Sequence, residues 1–133
     1  MLKEVPVKSS SRNQLIDITG EVRKLVSQSK VKEGTCLVYI PHTTAGVTIN
    51  ENADPDVKKD ILKKLSSLIP EHESYSHAEG NSDAHIKSSL VGCNLSVPIK
   101  DSSLVLGTWQ GILFCEFDGP RNRKAIIQII KSD

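Results

Sequence analysis

The apolar residues of this chain fall in short, strand-like runs, each cut off by a polar or turn-forming segment. Lys3 to Ser9 alternates, with Val5 and Val7 set against Glu4 and Lys8, as a half-buried strand does. After the turn-like stretch from Ser9 to Asn13, Leu15 to Ile18 reads as a second strand, and Thr19 can cap a helix with Val22, Leu25 and Val26 on one face. Cys36 to Ile40 and Gly46 to Ile49 are two further strands. The clearest helix is Asp54 to Ile69. Asp54 suits the N-cap and Pro55 the first turn, Val57, Ile61, Leu65 and Leu68 form its apolar stripe, and Pro70 stops it. Asn81 or Ser82 can cap a shorter helix that ends at Gly92. Asn94 to Ile99, Leu104 to Gly107, Ile112 to Phe117 and Ala125 to Lys131 read as strands. This order predicts an α+β fold rather than a doubly wound parallel sheet, in a single domain spanning residues 1–133.

Three polar segments interrupt this framework. In the first, Pro41-His42-Thr43-Thr44, a tight turn can present its side chains outward, or the threonines can simply bond their own backbone. The second runs from His77 through Gly80 to Asp83 and His85, where a helix start beside Ser82 offers free backbone N–H groups to an anion, or forms only a capping loop. Asp83 and His85 are two positions apart and point to different sides of a helix, so they are poor joint ligands for one metal. In the third, Glu116 interrupts an apolar strand on the face of Ile112 and Phe114, either exposed at an interface or buried with a compensating cation. Gln110 shares that face but lies about 20 Å along the strand. The two can meet one ligand only if Gly111 breaks the strand or if two subunits contribute. Arg121 to Lys124 is a short cationic group, either a solvated turn or a phosphate binder.

Composition narrows the classes. A formal charge of +1 gives no nucleic-acid footprint and no anionic-membrane binder. No apolar run approaches the ~20 residues of a bilayer span, and the charged start Met1-Leu2-Lys3-Glu4 is unlike a signal peptide, so a cytoplasmic location is expected. Cys36, Cys93 and Cys115 are widely spaced without a CxxC pair, and Cys36 and Cys115 read as small hydrophobes in strands.

The segments PHTTAGVTINENADPDV, HAEGNSDAHIKSSLVG and GTWQGILFCEFDGPRNRK, taken in order, resemble the YjbQ family from about residue 35 to residue 130. The resemblance implies a β-sandwich of about seven mostly antiparallel strands with flanking helices, assembled as a homotrimer. It also implies a secondary thiamine-phosphate synthase activity, a transferase reaction joining a pyrimidine diphosphate to a thiazole phosphate. The family positions His42, His77, Asp83, His85, Gln110 and Glu116 are all present. On that reading His42, His77 and His85 hold a divalent ion, zinc or magnesium, while Thr43, Thr44, Ser82, Gln110 and Arg123 hold a small phosphorylated metabolite. Glu116, His85 and Asp83 are then the catalytic candidates. The competing classes are a non-catalytic metal- or phosphate-binding trimer and a metal-dependent hydrolase.

Overall fold

The alternating segments pair into two antiparallel sheets. The computed structural model describes residues 1–133. In chain order its elements are β1 (Leu2–Lys8), β2 (Gln14–Asp17), α1 (Thr19–Ser29), β3 (Gly34–Tyr39), β4 (Ala45–Glu51), α2 (Pro55–Leu68), α3 (Ser82–Val91), β5 (Asn94–Lys100), β6 (Ser103–Leu104), β7 (Gln110–Glu116) and β8 (Asn122–Lys131). One sheet has five strands in the order β1-β8-β3-β5-β6, and the other has three in the order β2-β7-β4. The eight strands correspond to the eight strand-like segments of the sequence, one more than the about seven that the resemblance implies, although Leu104 to Gly107 is reduced to the two-residue β6.

The main core lies between the sheets. Val5, Cys36, Val38, Val97, Ala125, Ile127 and Ile129 from the larger sheet meet Val47, Ile112 and Phe114 from the smaller, and α1 closes one end with Val22 and Val26. A second cluster, Leu15, Leu113, Cys115 and Phe117, lies on the far face of the smaller sheet against Ile61, Leu62 and Leu65 of α2 and Ala84 of α3. Strand β7 is therefore covered on both faces, which explains its continuous apolar run. The outer face of the larger sheet carries no such cover, and β1 and β8 alternate buried and exposed along much of their length.

Helix α2 starts as expected, with Asp54 accepting from the Asp56 N–H at 2.9 Å and Pro55 in the first turn. Its stripe is shifted, however: Leu62 joins the packed face and Leu68 stands 64% exposed. Thr19 is not a cap but is itself held. Asp17 Oδ1 accepts its N–H at 2.9 Å and its hydroxyl at 2.6 Å, while Thr19 Oγ1 accepts the buried Ile112 N–H at 2.8 Å. Neither Asn81 nor Ser82 caps α3 through its side chain: Asn81 is the N-cap residue, and its Nδ2 donates instead to Asp118 at 2.9 Å. Burial pushes the Cys36 thiol up to about 11 and the Cys115 thiol up to about 12, so both are inert. No helix is long and apolar enough to cross a membrane.

The contrast between the inter-sheet core and the exposed side of α2 gives a stability test. Phe114→Ala, between the sheets, should cost roughly 3–5 kcal/mol in denaturant unfolding, whereas Leu68→Ala on the exposed side of α2 should stay within about 0.5 kcal/mol.

Candidate functional site

Where β3 ends at Tyr39, its neighbour β8 runs on, and its backbone N–H groups need other partners. His42 supplies one: its Nε2 accepts the Lys124 N–H at 3.1 Å. This bond places the ring's lone pair on Nε2, so the neutral imidazole carries its proton on Nδ1 and is a donor there. Burial first, and then the neighbouring Arg123 charge, hold the His42 pKa below the ordinary 6.5. His42 is thus a neutral ring at physiological pH.

One residue further, Thr44 is buried, and its Oγ1 accepts from Arg123 Nη2 at 2.7 Å. Arg123 in turn grips Glu116, through Nε to Oε1 at 2.9 Å and Nη2 to Oε2 at 2.6 Å. Ser9 Oγ donates to Oε1 at 2.7 Å and the Asp118 N–H to Oε2 at 3.1 Å, so the wholly buried carboxylate accepts four hydrogen bonds. Burial alone would raise its pKa, but the bonds from Arg123 and Ser9 outweigh it and the net shift is downward.

A second network lies beside the first. Arg12 Nη2 meets Asp83 Oδ1 at 2.8 Å and Nη1 meets Asp118 Oδ1 at 3.1 Å. Its Nε comes within 3.1 Å of Glu71 Oε1, a charge contact without an aligned hydrogen bond. Asp83 also takes Lys87 Nζ at 3.1 Å, and both side chains are buried. Asp118 Oδ2 accepts from Asn81 at 2.9 Å and from Arg121 Nη2 at 2.9 Å.

The result is an open cleft of about 740 Å³ whose lining includes His42, Thr43, Thr44, His77, His85, Asn81, Arg121 and Arg123. The rings of His77 and His85 meet edge to face, with centroids 5.4 Å apart. Arg123 Nη1 has no partner within the chain and is the part of that guanidinium left for a ligand.

Several expected site residues stand elsewhere. Asp83 and Glu116 have no exposed surface, and each is sealed against the cations it holds. Ser82 lines a smaller neighbouring pocket of about 360 Å³ with Tyr75, His77, His85 and Ile86. Gln110 is at the opposite end of the molecule: β7 pairs without interruption from Gln110↔Glu51 to Glu116↔Ala45, so Gly111 does not break the strand. The three histidines share one cleft, and imidazole suits zinc better than magnesium. They are not a formed coordination cluster, because no group of three His, Cys, Asp or Glu side chains is close enough to hold one ion. His42 has already committed its Nε2 lone pair to the Lys124 N–H, and His77 and His85 meet edge to face rather than around a common centre. Arg12, Ser9 and Asn81 escaped the sequence reading; Arg12, a lone charge in a turn between two strands, was the one visible hint.

Glu116→Gln should keep the shape but lose about 3–5 kcal/mol, since it leaves Arg123 buried without its counter-charge. Urea unfolding measures this, and an unchanged midpoint would contradict the ion-pair assignment. The sign for His42 follows from its lowered pKa. As pH falls below about 6.5 the unfolded chain takes up this proton first, so the His42 contribution to stability is lost as pH passes through the lower folded value. His42→Gln should flatten that part of the stability profile, while exposed His72→Gln should not.

Comparison with known proteins agrees with this architecture. The family model described as UPF0047 protein YjbQ-like matches residues 3–132. The UPF0047 protein of Methanocaldococcus jannaschii is 57% identical over 130 residues, covering 98% of this chain and 94% of that protein. UPF0047 protein YugU of Bacillus subtilis is 52% identical, covering 98% and 99%. Among solved structures, an uncharacterized conserved protein of the YjbQ/UPF0047 family from Clostridium acetobutylicum superposes with a TM-score of 0.95 at 54% identity, covering 96% of this chain and 99% of that one. A YbjQ-like protein of unknown function from Sulfolobus solfataricus gives 0.96 at 31% identity, covering 99% and 97%. With nearly its whole length matched in sequence and in fold, this chain belongs to the UPF0047 YjbQ-like family.

Proposed function

We propose that the histidine–arginine cleft binds a small phosphorylated metabolite. One observation carries this reading: the neutral His42 with its Nδ1 proton, the free Nη1 of Arg123 and the half-exposed Arg121 line one cleft. The carboxylates nearby are either committed to these cations, as Asp118 and Glu116 are, or exposed at the rim, as Glu79 is. Phosphate oxygens are acceptors with negative charge, and charge-assisted donors of this kind bind them about twice as strongly as neutral ones.

The reaction that the resemblance implies, joining a pyrimidine diphosphate to a thiazole phosphate, fits such a cleft. The diphosphate must be held and its departure assisted, and His77 and His85, which line the cleft, are the groups there that could give a proton to a leaving oxygen. Were a zinc ion bound there, as the resemblance implies, it would take the lone pairs of these rings and would itself, in place of a proton from them, neutralise diphosphate charge as a Lewis acid. A purely binding role is the second reading, favoured by the fact that Glu116 and Asp83 are sealed from the cleft and leave the histidines as its proton-transfer groups. The homotrimer belongs to the same proposal and is supported by the uncovered face of the larger sheet, where Leu2, Tyr39 and Ile130 are exposed.

Calorimetric titration with inorganic pyrophosphate, in EDTA and again with added zinc, tests the cleft. Binding should weaken about tenfold or more in Arg121→Ala and in His85→Ala, the loss of one charge-assisted contact. It should be unchanged in His72→Ala, whose side chain is exposed outside the cleft. Equal affinity in all three variants would reject the site. Turnover of a pyrimidine diphosphate with thiazole phosphate, at catalytic rather than stoichiometric protein, separates the transferase from the binding module.

A further inference from the structure

Between β7 and β8 the chain turns through Asp118, Gly119 and Pro120, and this turn is mounted on the segment that follows β1. The Ser9 N–H donates to Arg121 O at 3.0 Å, the Gly119 N–H to Arg12 O at 3.0 Å, and the Arg121 N–H to Ser9 Oγ at 2.8 Å. The approach at Gly119 is so close that a Cβ there would sit 2.7 Å from Ser9 Oγ and closer still to Ser11 O. Asp118 therefore lines the cleft from backbone that has little freedom to move.

From that mount Asp118 works on both sides of the cleft. Its Oδ2 accepts from Arg121 Nη2 at 2.9 Å and from Asn81 Nδ2, at the start of α3, at 2.9 Å. Its Oδ1 accepts from Arg12 Nη1 at 3.1 Å, and its N–H donates to Glu116 Oε2 at 3.1 Å. Its carbonyl also accepts from Arg121 Nε at 2.8 Å, so one residue holds Arg121 at two atoms, and Arg121 Nη1 has no partner in the chain. A half-exposed arginine ordinarily samples many rotamers, and a ligand that fixes one bears the lost entropy. The two-point hold removes that cost before a ligand arrives. Charge works the other way, because Asp118 is a carboxylate beside an anion site. Burial raises its pKa, but bonds from Asn81 and Arg121 and the charges of Arg121 and Arg12 make the net shift downward, so it is ionised. That charge is divided between two guanidiniums, Arg121 on one oxygen and Arg12 on the other. Arg12 is itself shared with Glu71 and with Asp83, which Lys87 also holds.

We infer that Asp118 is a positioning residue of the cleft: it clamps Arg121 so that the remaining donor is preset for a phosphate oxygen, and this outweighs the repulsion between its own charge and the anion. The assignment rests on the phosphate reading above and gives it a sign. If charge alone governed the cleft, deleting this carboxylate would strengthen anion binding. With Asp118 as the clamp, deletion frees Arg121 to swing into solvent and weakens it.

Calorimetric titration with inorganic pyrophosphate in EDTA reads that sign. Asp118→Ala should bind about tenfold more weakly than wild type, as Arg121→Ala should. The double variant should be weaker than either by no more than about threefold, because both changes remove the same contact. Equal or tighter binding by Asp118→Ala, or a double variant about a hundredfold weaker than wild type, overturns the clamp. Arg121→Lys asks the same question without touching the turn. It keeps the charge but cannot reproduce the two-point hold, so it should bind within about threefold of Arg121→Ala. Wild-type affinity in Arg121→Lys overturns the proposal. The ligand-free protein gives an independent readout: exchange of the Arg121 Nε–H with solvent, followed by NMR, should quicken about tenfold or more in Asp118→Ala. An unchanged rate overturns the clamp. A wild type that binds no pyrophosphate, with that exchange still dependent on Asp118, instead overturns the phosphate reading and leaves the clamp standing.

Discussion

A carboxylate and a guanidinium that have both left water hold the working end of this protein together. Glu116 is fully buried and Arg123 nearly so, at 2.6 Å. Removing two charges from water costs several kcal/mol per ion, and their attraction offsets this only when the remaining hydrogen-bonding capacity is also filled. Here it is filled from three directions. Ser9 reaches in from the end of the β1 strand, the Asp118 N–H from the turn after β7, and Thr44 receives the other side of Arg123 from the β3–β4 connection. One ion pair therefore ties the β7–β8 connection to two segments far from it in sequence, the end of β1 and the β3–β4 connection.

The cleft inherits its character from that arrangement. Apart from Glu79 at the rim, the carboxylates beside it are spent on structure: Glu116 on Arg123, and Asp118 on Arg12, Asn81 and Arg121. The donors left over, together with the His42 ring turned by the Lys124 N–H, face a shared space. The larger sheet supplies Arg123 and the Lys124 anchor, while α3 and the loop before it supply His85 and His77. A rigid sandwich thus aims side chains from its loops at one point, as binding sites commonly do.

What the sequence made legible follows the range of each interaction. Helix α2 was readable because Asp54, Pro55 and Pro70 act on backbone within a few positions of themselves. The strands were readable from alternation, and β7 from its continuous apolar run, but their neighbours were not: β8 lies between β1 and β3, and only that placement brings Arg123 to Glu116. The possibility of a buried carboxylate with a compensating cation was visible at Glu116, and the identity of the cation was not. Arg12 was invisible for the same reason, since its partners Asp83 and Asp118 arrive from α3 and from the β7–β8 turn. Gln110 was grouped with the site by motif, and the straightness of β7 sends it to the other end. Thr19 looked like a cap by residue type, yet Asp17 two positions earlier is the better acceptor and takes that role.

The buried pair can be examined directly by following the side-chain carboxyl carbon of Glu116 by NMR as the pH is lowered. The account predicts a carboxylate that stays ionised below its ordinary 4.5, because Arg123 and Ser9 overcome the effect of burial, and that takes up its proton only as the fold is lost. A Glu116 that protonates at or above 4.5 in the intact fold would contradict it, since the Arg123 cation would then be held in place by something other than this charge.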